Sequence, residues 1–300
     1  MYILKRFLLG LFMLLVLGAG TLPAAAATDE TACLREVYEK AYSLQSEAFT
    51  FQGQAGSPLG NFVVKASGRN IMKPSLLMQA DVELEMYSLL GSKFHLQTPC
   101  YMEETAKAFV VYYQRNGQWE KQTMKKAAGA EDLSKPLSAD ASMALVRSAQ
   151  LVRETAQQKV LKVVFDGKKL ADIGRRAMAA EPDKKQSLLA RQQMDKLLDA
   201  IGDIECTMTV DKATGYAVQS EADLTPMARR LAHSIVTDMP KLKAAEKQQL
   251  MAMVDHATVH VATTASEFNA VKEIVIPAEV RAAKEAPKPQ KKDTKKAAAV

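Results

Sequence analysis

The clearest pattern along the chain is a two-residue alternation of apolar and polar positions, typical of a strand with one dry and one wet face. It runs through residues 75–89 and again through residues 203–211. The apolar members are Val82, Leu84 and Met86 in the first stretch and Ile204, Cys206, Met208 and Val210 in the second. Further strands are predicted over 49–54, 61–72, 93–98, 159–165, 256–268 and 271–276.

Turn residues predict how these strands connect. Asn116-Gly117 separates the strand-forming run 109–113 from Trp119, and an Asn-Gly pair between such runs is the strongest short-range hairpin signal. A second hairpin is predicted over 203–224, with Gly215 in its turn. Pro99-Cys100 is expected to end a strand and turn the chain toward the first hairpin.

Apolar positions spaced three and four apart predict helices between the strands. The expected helices cover residues 33–45, 138–157, 168–180, 183–201, 225–239 and 242–254. The stripe of the second consists of Leu145, Val146, Ala149 and Val152. Strands and helices in this order predict an α+β protein, with helices packed on one side of a large, curved antiparallel sheet. We expect a single domain over residues 28–280.

The first 27 residues have the organisation of a secretory signal peptide. Two basic residues precede an uncharged apolar run over 7–20, and small residues follow. The run is short for a membrane-spanning helix. The pattern predicts export to the periplasm or the extracellular space, with cleavage after Ala26 or Ala27.

The three cysteines, at positions 33, 100 and 206, match neither a disulfide scaffold nor a zinc site. Whether two of them pair is left open. Cys206 lies on the apolar face of a predicted strand, where we expect a buried free thiol. Charged residues precede Cys33 where a lipobox would lie, so the exported protein is expected not to be lipidated.

The net charge of +6 is concentrated at the two ends of the chain. The signal peptide contributes +2 and residues 281–300 contribute +5, which leaves residues 28–280 at −1. A nearly neutral folded part argues against nucleic-acid binding. Residues 281–300 are rich in Lys, Pro and Ala and are predicted to be a disordered tail. That tail is either simply solvated or in weak contact with an anionic membrane or wall polymer.

No combination of residues typical of an active site appears. His256 and His260 are four apart, but neither an HExxH glutamate nor a third ligand accompanies them. On the predicted strand both lie opposite Val259 and Val261. The sequence also lacks a nucleophile elbow and a glycine-rich phosphate loop. We therefore predict a protein that is not an enzyme and that uses no metal or cofactor.

Methionine is the one residue type whose excess suggests a function. Thirteen remain after the signal peptide, several of them on predicted apolar faces. Thioether side chains adapt to irregular apolar ligands, although ordinary core filling explains any single one. A curved sheet covered by helices easily leaves an apolar cavity. Together these features favour binding of an apolar ligand.

The order of these motifs resembles the LolA/LppX-like superfamily of exported lipid and lipoprotein carriers. The motifs are the amphipathic first helix, the YYQRNGQWEK hairpin, the DKATGY turn and the closing SEFNAVKEIVIPAEV. The residues that carry the closing phrase are Asn269, Val271, Ile274, Ile276, Pro277, Glu279 and Val280. The resemblance covers about residues 33–281. Unlike many relatives the chain lacks a lipobox, and it has helical insertions near 168–201 and 225–254.

The resemblance implies a half-open antiparallel barrel around an apolar cavity, with helices as a lid. It implies a monomeric, non-catalytic carrier of lipid or lipoprotein acyl chains. The residues expected to line the cavity are Val82, Leu84, Met86, Met208, Val210, Val259 and Val261, with Leu231 and Ile235 in the lid. The alternative is a structural or adhesive envelope protein, whose barrel is filled by its own side chains and whose basic tail holds it to the surface.

Overall fold

The computed structural model describes residues 29–88, 91–126, 138–180, 188–240 and 242–287. The predicted signal peptide (1–27) and residues 288–300 of the predicted tail lie outside the described residues. Within them, one sheet contains twelve strands in the order β12-β6-β5-β4-β3-β2-β1-β11-β10-β9-β8-β7. The sheet is antiparallel throughout except where β12 pairs with β6.

The strands are long and mostly joined by short turns. Their bounds are β1 Ser46–Ser57, β2 Gly60–Ile71, β3 Leu77–Ser88, β4 Lys93–Glu104, β5 Ala108–Arg115, β6 Gln118–Lys125, β7 Val146–Glu154, β8 Gln158–Phe165, β9 Ile204–Asp211, β10 Ala217–Asp223, β11 Thr258–Ser266 and β12 Lys284–Glu285. Asn116 and Gly117 adopt φ of 51° and 77°, so the predicted two-residue hairpin turn is confirmed. The second predicted hairpin is confirmed as well, with Gly215 at φ 72°.

Seven helices are described: α1 Asp29–Ser43, α2 Ala139–Leu145, α3 Gly167–Ala180, α4 Leu188–Asp199, α5 Thr225–Thr237, α6 Ala244–Asp255 and α7 Ala278–Arg281. None of these helices combines the length and the apolar character needed to cross a bilayer. The sheet does not close, since β7 and β12 remain at its two edges. The predicted fold class, an α+β protein built on a half-open antiparallel sheet, is confirmed.

One face of the sheet is apolar across most of its width. Strand register aligns a single row of small or apolar residues over eight strands, from β4 to β8. The row reads Leu96, Leu84, Val64, Gly53, Val261, Ala222, Cys206 and Val163. We call the face that carries this row the apolar face. Its neighbours two residues away along each strand point to the same side.

Helices cover the apolar face over strands β8 to β11. Under α1, the buried residues are Leu34, Val37, Leu161, Val163, Met208 and Val210. Beside them, α3, α4 and α5 enclose a second buried cluster of Ala171, Leu198, Ile201, Ile204, Ala222, Leu224 and Met227. The two largest buried clusters of the described fold therefore lie over strands β8 to β11.

The C-terminal segment covers part of the opposite face. Val280 and Ile276 are 1% and 3% exposed and pack against Val110 and Tyr112. The Tyr112 hydroxyl donates to Glu103 Oε1 at 2.6 Å, and burial together with this bond raises the pKa of Tyr112 to about 12. The sequence phrase that ends in Val280 is thus a packing motif of the fold.

The predicted boundary between the domain and the tail at residue 281 is wrong. Arg281 ends α7, and Ala283 is 8% exposed within the same buried cluster. Lys284 and Glu285 form β12, and the Thr123 hydroxyl donates to the Glu285 carboxylate. The folded part extends through residue 286, because the backbone of Ala286 still bonds to Lys121.

The helix predicted over residues 138–157 is also wrong beyond Leu145. Ser138 caps α2 as expected, but residues 146–154 form β7. At each of two register shifts in the β7–β8 pairing, successive inward positions of β7 lie three residues apart instead of two. The apolar spacing of Val146 and Ala149 therefore imitates a helix although the backbone is extended.

Three shorter expectations are corrected too. Pro99 does not turn the chain, because β4 continues to Glu104. The missing N–H of Pro99 is tolerated because β4–β5 pairing begins at Cys100, while the Thr98 hydroxyl accepts from the Gln114 amide at 3.0 Å. His256 is the C-cap of α6 and does not lie on β11. Residues 271–276 are not a strand.

Candidate functional site: the open half of the apolar face

Over strands β1 to β4 the apolar face is only partly covered. Phe62, Met86 and Phe94 align across β2, β3 and β4 and are 39%, 47% and 49% exposed. The adjacent rows, toward the middle of the sheet, contain half-buried apolar side chains. We call this group the open half; it consists of Phe51, Phe62, Val64, Val82, Leu84, Met86, Phe94 and Leu96. Within the described residues, the buried clusters beneath the helices include none of its members.

Gly53 marks the border between the open half and the helix-covered half. Its register partners are Val64 on β2 and Val261 on β11. A Cβ at position 53 would lie 2.9 Å from Val64 Cγ1 and 3.2 Å from the Phe51 ring. Glycine therefore allows these two side chains to close over the strand and form a continuous apolar floor.

The predicted cavity residues divide into two groups. Register places Val82, Leu84, Met86, Met208, Val210, Val259 and Val261 on one face. Val82, Leu84 and Met86 belong to the open half. Met208 and Val210 are 7% and 3% exposed beneath α1, and Val259 and Val261 pack beside the cluster under α5. Met208 and Val210 are therefore closed to a ligand in this structure, whereas Val82, Leu84 and Met86 are partly exposed and lie away from the helices.

The two residues expected in a lid lie on α5. Leu231 packs against the buried cluster, whereas Ile235 is 43% exposed. Two hydrogen bonds hold the first two turns of this helix, one to the segment that follows α4 and one to strand β11. Arg230 Nη2 donates to the Ile201 carbonyl at 2.6 Å, and the Val259 amide donates to Thr225 Oγ1 at 2.8 Å. These contacts make α5 a fixed wall of the covered half.

The opposite face is polar where it backs the apolar row. A groove of about 640 Å³ crosses strands β1, β9, β10 and β11 there. Its polar lining residues are Gln52, Gln54, Glu205, Thr207, Glu221, Asp223 and His260. Partial burial opposes ionisation of Asp223, but hydrogen bonds from Thr225 and the nearby His260 outweigh it and lower the pKa of this carboxyl. No charge of this kind interrupts the aligned row on the apolar side.

One cluster of possible metal ligands lies on the polar face of β3 and β4. Glu83, Glu85 and His95 bring ligand atoms within 4.8 Å of one another. The Lys65 ammonium already contacts Glu83 Oε2 at 3.2 Å, so the cluster is organised as an ion-pair network. The sequence did not suggest a partner for His95. The signal was available, because Glu85 and His95 are register partners across the β3–β4 turn.

Residues 61–285 match the model of DUF6612, a family of unknown function. The chain belongs to this family. No curated protein sequence matches it. Among solved structures, this DUF6612 protein is similar to the crystal structure of LprF from Mycobacterium bovis, with a TM-score of 0.45 and 13% sequence identity. The match covers 87% of this chain and 99% of that one.

Sequence reasoning missed most of the open half of this DUF6612 protein. Phe51 and Val64 were within predicted strands, but the face of the sheet to which their side chains point was not assigned. The signal was present, since Phe49, Phe51 and Gly53 alternate with polar residues, as do Phe62, Val64 and Ala66 over part of β2. Phe94 and Leu96 follow the same alternation in β4. Combined with register, these patterns would have located the site.

The three cysteines of this DUF6612 protein are free thiols and differ in burial. Burial raises the pKa of Cys100 and of Cys206 to about 11 in each case. Burial also raises the pKa of Cys33, with Lys159 opposing the shift. Each unit of increase lowers the reactive thiolate fraction at pH 8 about tenfold.

We therefore expect iodoacetamide at pH 8 to label Cys33 first, with Cys100 and Cys206 labelled only slowly. Mass spectrometry of tryptic peptides over time measures the three rates. Labelling in urea is the control, since unfolding should make all three thiols react at similar rates. Equal rates for Cys206 and Cys33 in the native protein would contradict the burial described here.

Proposed function

We propose that this protein is an exported, non-catalytic carrier that binds an acyl chain of a lipid or lipoprotein on the open half of the apolar face. The observation that carries the proposal is the partial exposure of eight apolar side chains in adjacent register. Monomeric soluble proteins rarely leave a contiguous apolar patch uncovered without using it for binding.

The dimensions of the open half suit an acyl chain. Its four strands span about 14 Å and its three rows about 13 Å, at the usual strand and residue spacings. Burial of ten methylene groups there would contribute about 8 kcal/mol before the cost of ordering the ligand and side chains. Aliphatic and aromatic side chains with one thioether, Met86, form a surface that tolerates different chain shapes.

The compartment and the domain limits belong to the same proposal. A cleaved signal peptide over residues 1–27 would deliver the protein to the periplasm or the extracellular space, without a lipid anchor of its own. An acyl chain crossing an aqueous compartment needs a protein surface that shields it from water. The single α+β domain then supplies that surface, and the basic tail after it adds weak attraction to anionic polymers.

Native mass spectrometry of the purified mature protein tests the proposal, followed by solvent extraction and binding of a fluorescent fatty acid. We expect co-purifying lipid, or a one-to-one complex with the added probe. A protein that is empty and that ignores the probe would refute the carrier function. The alternative, a structural envelope protein whose barrel is filled by its own side chains, would then account for the fold.

A further inference from the structure

Exposed apolar side chains are concentrated at one end of the sheet. Ten large apolar residues stand exposed among the described residues, and five of them lie at this end. They are Leu59, Phe62, Met86, Tyr87 and Phe94, with exposures from 39% to 54%. The other five are dispersed over α1, β7, α5 and two connecting segments. Such a concentration differs from the scattered exposure that is normal for a soluble surface.

Strand register brings these residues together. Gly60 on β2 is the partner of Ser88 on β3, so the β1–β2 turn and the C-terminal end of β3 lie at the same strand ends of the sheet. Phe62, Met86 and Phe94 point to the apolar face, Tyr87 points to the opposite face, and Leu59 lies in the β1–β2 turn. We call these five residues the hairpin tip. At these strand ends, apolar side chains therefore lie on both faces of the sheet, and those on the apolar face continue into the open half.

The charge of the hairpin tip is positive. Among residues 57–62, 86–88 and 91–94, Lys93 is the only charged side chain. The first carboxylate along β3, Glu85, accepts from the Tyr87 hydroxyl at 3.4 Å on the polar face. Lys93 Nζ lies 5.7 Å from the centre of the Tyr87 ring. Aromatic and aliphatic side chains next to a lysine are the composition that favours the interface between lipid headgroups and acyl chains.

We infer that the hairpin tip docks into the interfacial region of an anionic phospholipid bilayer. Leu59, Phe62 and Phe94 would enter the boundary between headgroups and acyl chains, while Lys93 contacts lipid phosphates. The open half begins at these strand ends, so a docked protein presents its apolar floor directly to the membrane. The inference rests on the proposed function and adds the partner from which the acyl chain is taken or to which it is delivered.

The experiment uses flotation of the mature protein with vesicles of phosphatidylglycerol and phosphatidylcholine in equal parts. The test variant is the double substitution Leu59→Asp and Tyr87→Asp, because neither residue belongs to the open half. Position 87 is 40% exposed, and its partner Lys93 offsets the repulsion that an aspartate there would meet from Glu85, the acceptor of the Tyr87 hydroxyl at 3.4 Å. The matched control is Val152→Asp with Val275→Asp, which removes two apolar residues that are 60% and 64% exposed elsewhere.

We expect the wild type and the control to float with the vesicles. The tip variant should bind the vesicles at least tenfold more weakly than the wild type. All three should bind a fluorescent fatty acid equally well in vesicle-free solution. Equal flotation of the tip variant and the wild type would overturn the inference. Absence of flotation by a wild type that binds the fatty acid would overturn it too, while leaving the proposed function intact.

Light scattering tests the other possible occupant of the hairpin tip, a second copy of this chain. A wild type that is dimeric in solution, together with a tip variant that is monomeric, would show that the hairpin tip pairs with itself and would overturn membrane docking. A wild type that binds neither fatty acid nor vesicles would instead refute the proposed function itself. Salt provides an internal check, since flotation through Lys93 should weaken as ionic strength rises.

Discussion

Replacing Leu84 by aspartate is expected to weaken binding of a fluorescent fatty acid by at least about a hundredfold. Leu84 lies between Val64 and Leu96 in the middle of the open half. A bound acyl chain would trap the new carboxylate against an apolar surface, and burial of an unpaired charge costs several kcal/mol. About 1.4 kcal/mol corresponds to a tenfold change in affinity. Titration of the probe with each variant measures the effect.

The matched control for Leu84→Asp is Gln79→Asp on the same strand. Gln79 is exposed on the polar face, and its register partner Arg69 offers a favourable charge. We expect this variant to bind the probe as the wild type does. Leu84 itself is half-buried, so the Asp variant should keep its far-ultraviolet circular dichroism spectrum. Unchanged probe affinity in a folded Leu84→Asp protein would rule out the open half as the binding surface.

Replacing Met208 by aspartate is expected to prevent stable folding, although sequence reasoning placed Met208 in the same cavity as Leu84. Met208 is 7% exposed beneath α1 and packs in one cluster with Leu34 and Val37. An unpaired carboxylate there costs about 4 kcal/mol or more, which is a large share of the 5–15 kcal/mol typical of a domain. Urea denaturation followed by circular dichroism tests this expectation.

The comparison for Met208→Asp is Thr207→Asp, one residue away on the same strand. Thr207 is exposed on the polar face, between Lys162 on β8 and Glu221 on β10. Attraction to one neighbour and repulsion from the other nearly cancel, so we expect a change in unfolding free energy within about 0.5 kcal/mol. Similar stabilities for the two variants would show that α1 does not cover this part of the apolar face.

The contrast between these two positions shows what sequence could and could not predict about the site. Strict alternation predicted the face of the sheet to which Leu84 and Met208 point without any knowledge of their neighbours, because successive side chains on a strand point to opposite faces. Coverage is different in kind. It depends on where α1 packs, and the apolar stripe of a helix does not specify which half of a twelve-stranded sheet it meets.

The fold itself was more predictable where a local signal was strong. Asn116-Gly117 can adopt positive φ at low cost, so it determined a hairpin regardless of context. Where the signal was ambiguous, tertiary structure decided. Ala149 and Val152 satisfied a helical spacing, but pairing with β8 selected an extended, twice-bulged edge strand. Pro99 lacks a backbone N–H and was expected to end the strand. The strand continues through it because β4–β5 pairing starts one residue later.

The two margins of the sheet give the fold unequal protection against intermolecular β-pairing. At one margin, the bulges of β7 disturb the regular edge that a strand from another molecule would need. At the other, β12 pairs only with Glu120 and Lys121 in the middle of β6. Pro287 follows it and cannot donate to a further ladder. Residues 284–287 thus interrupt this edge where another strand could pair, and a truncation of the basic tail should begin after Pro287 to keep that interruption.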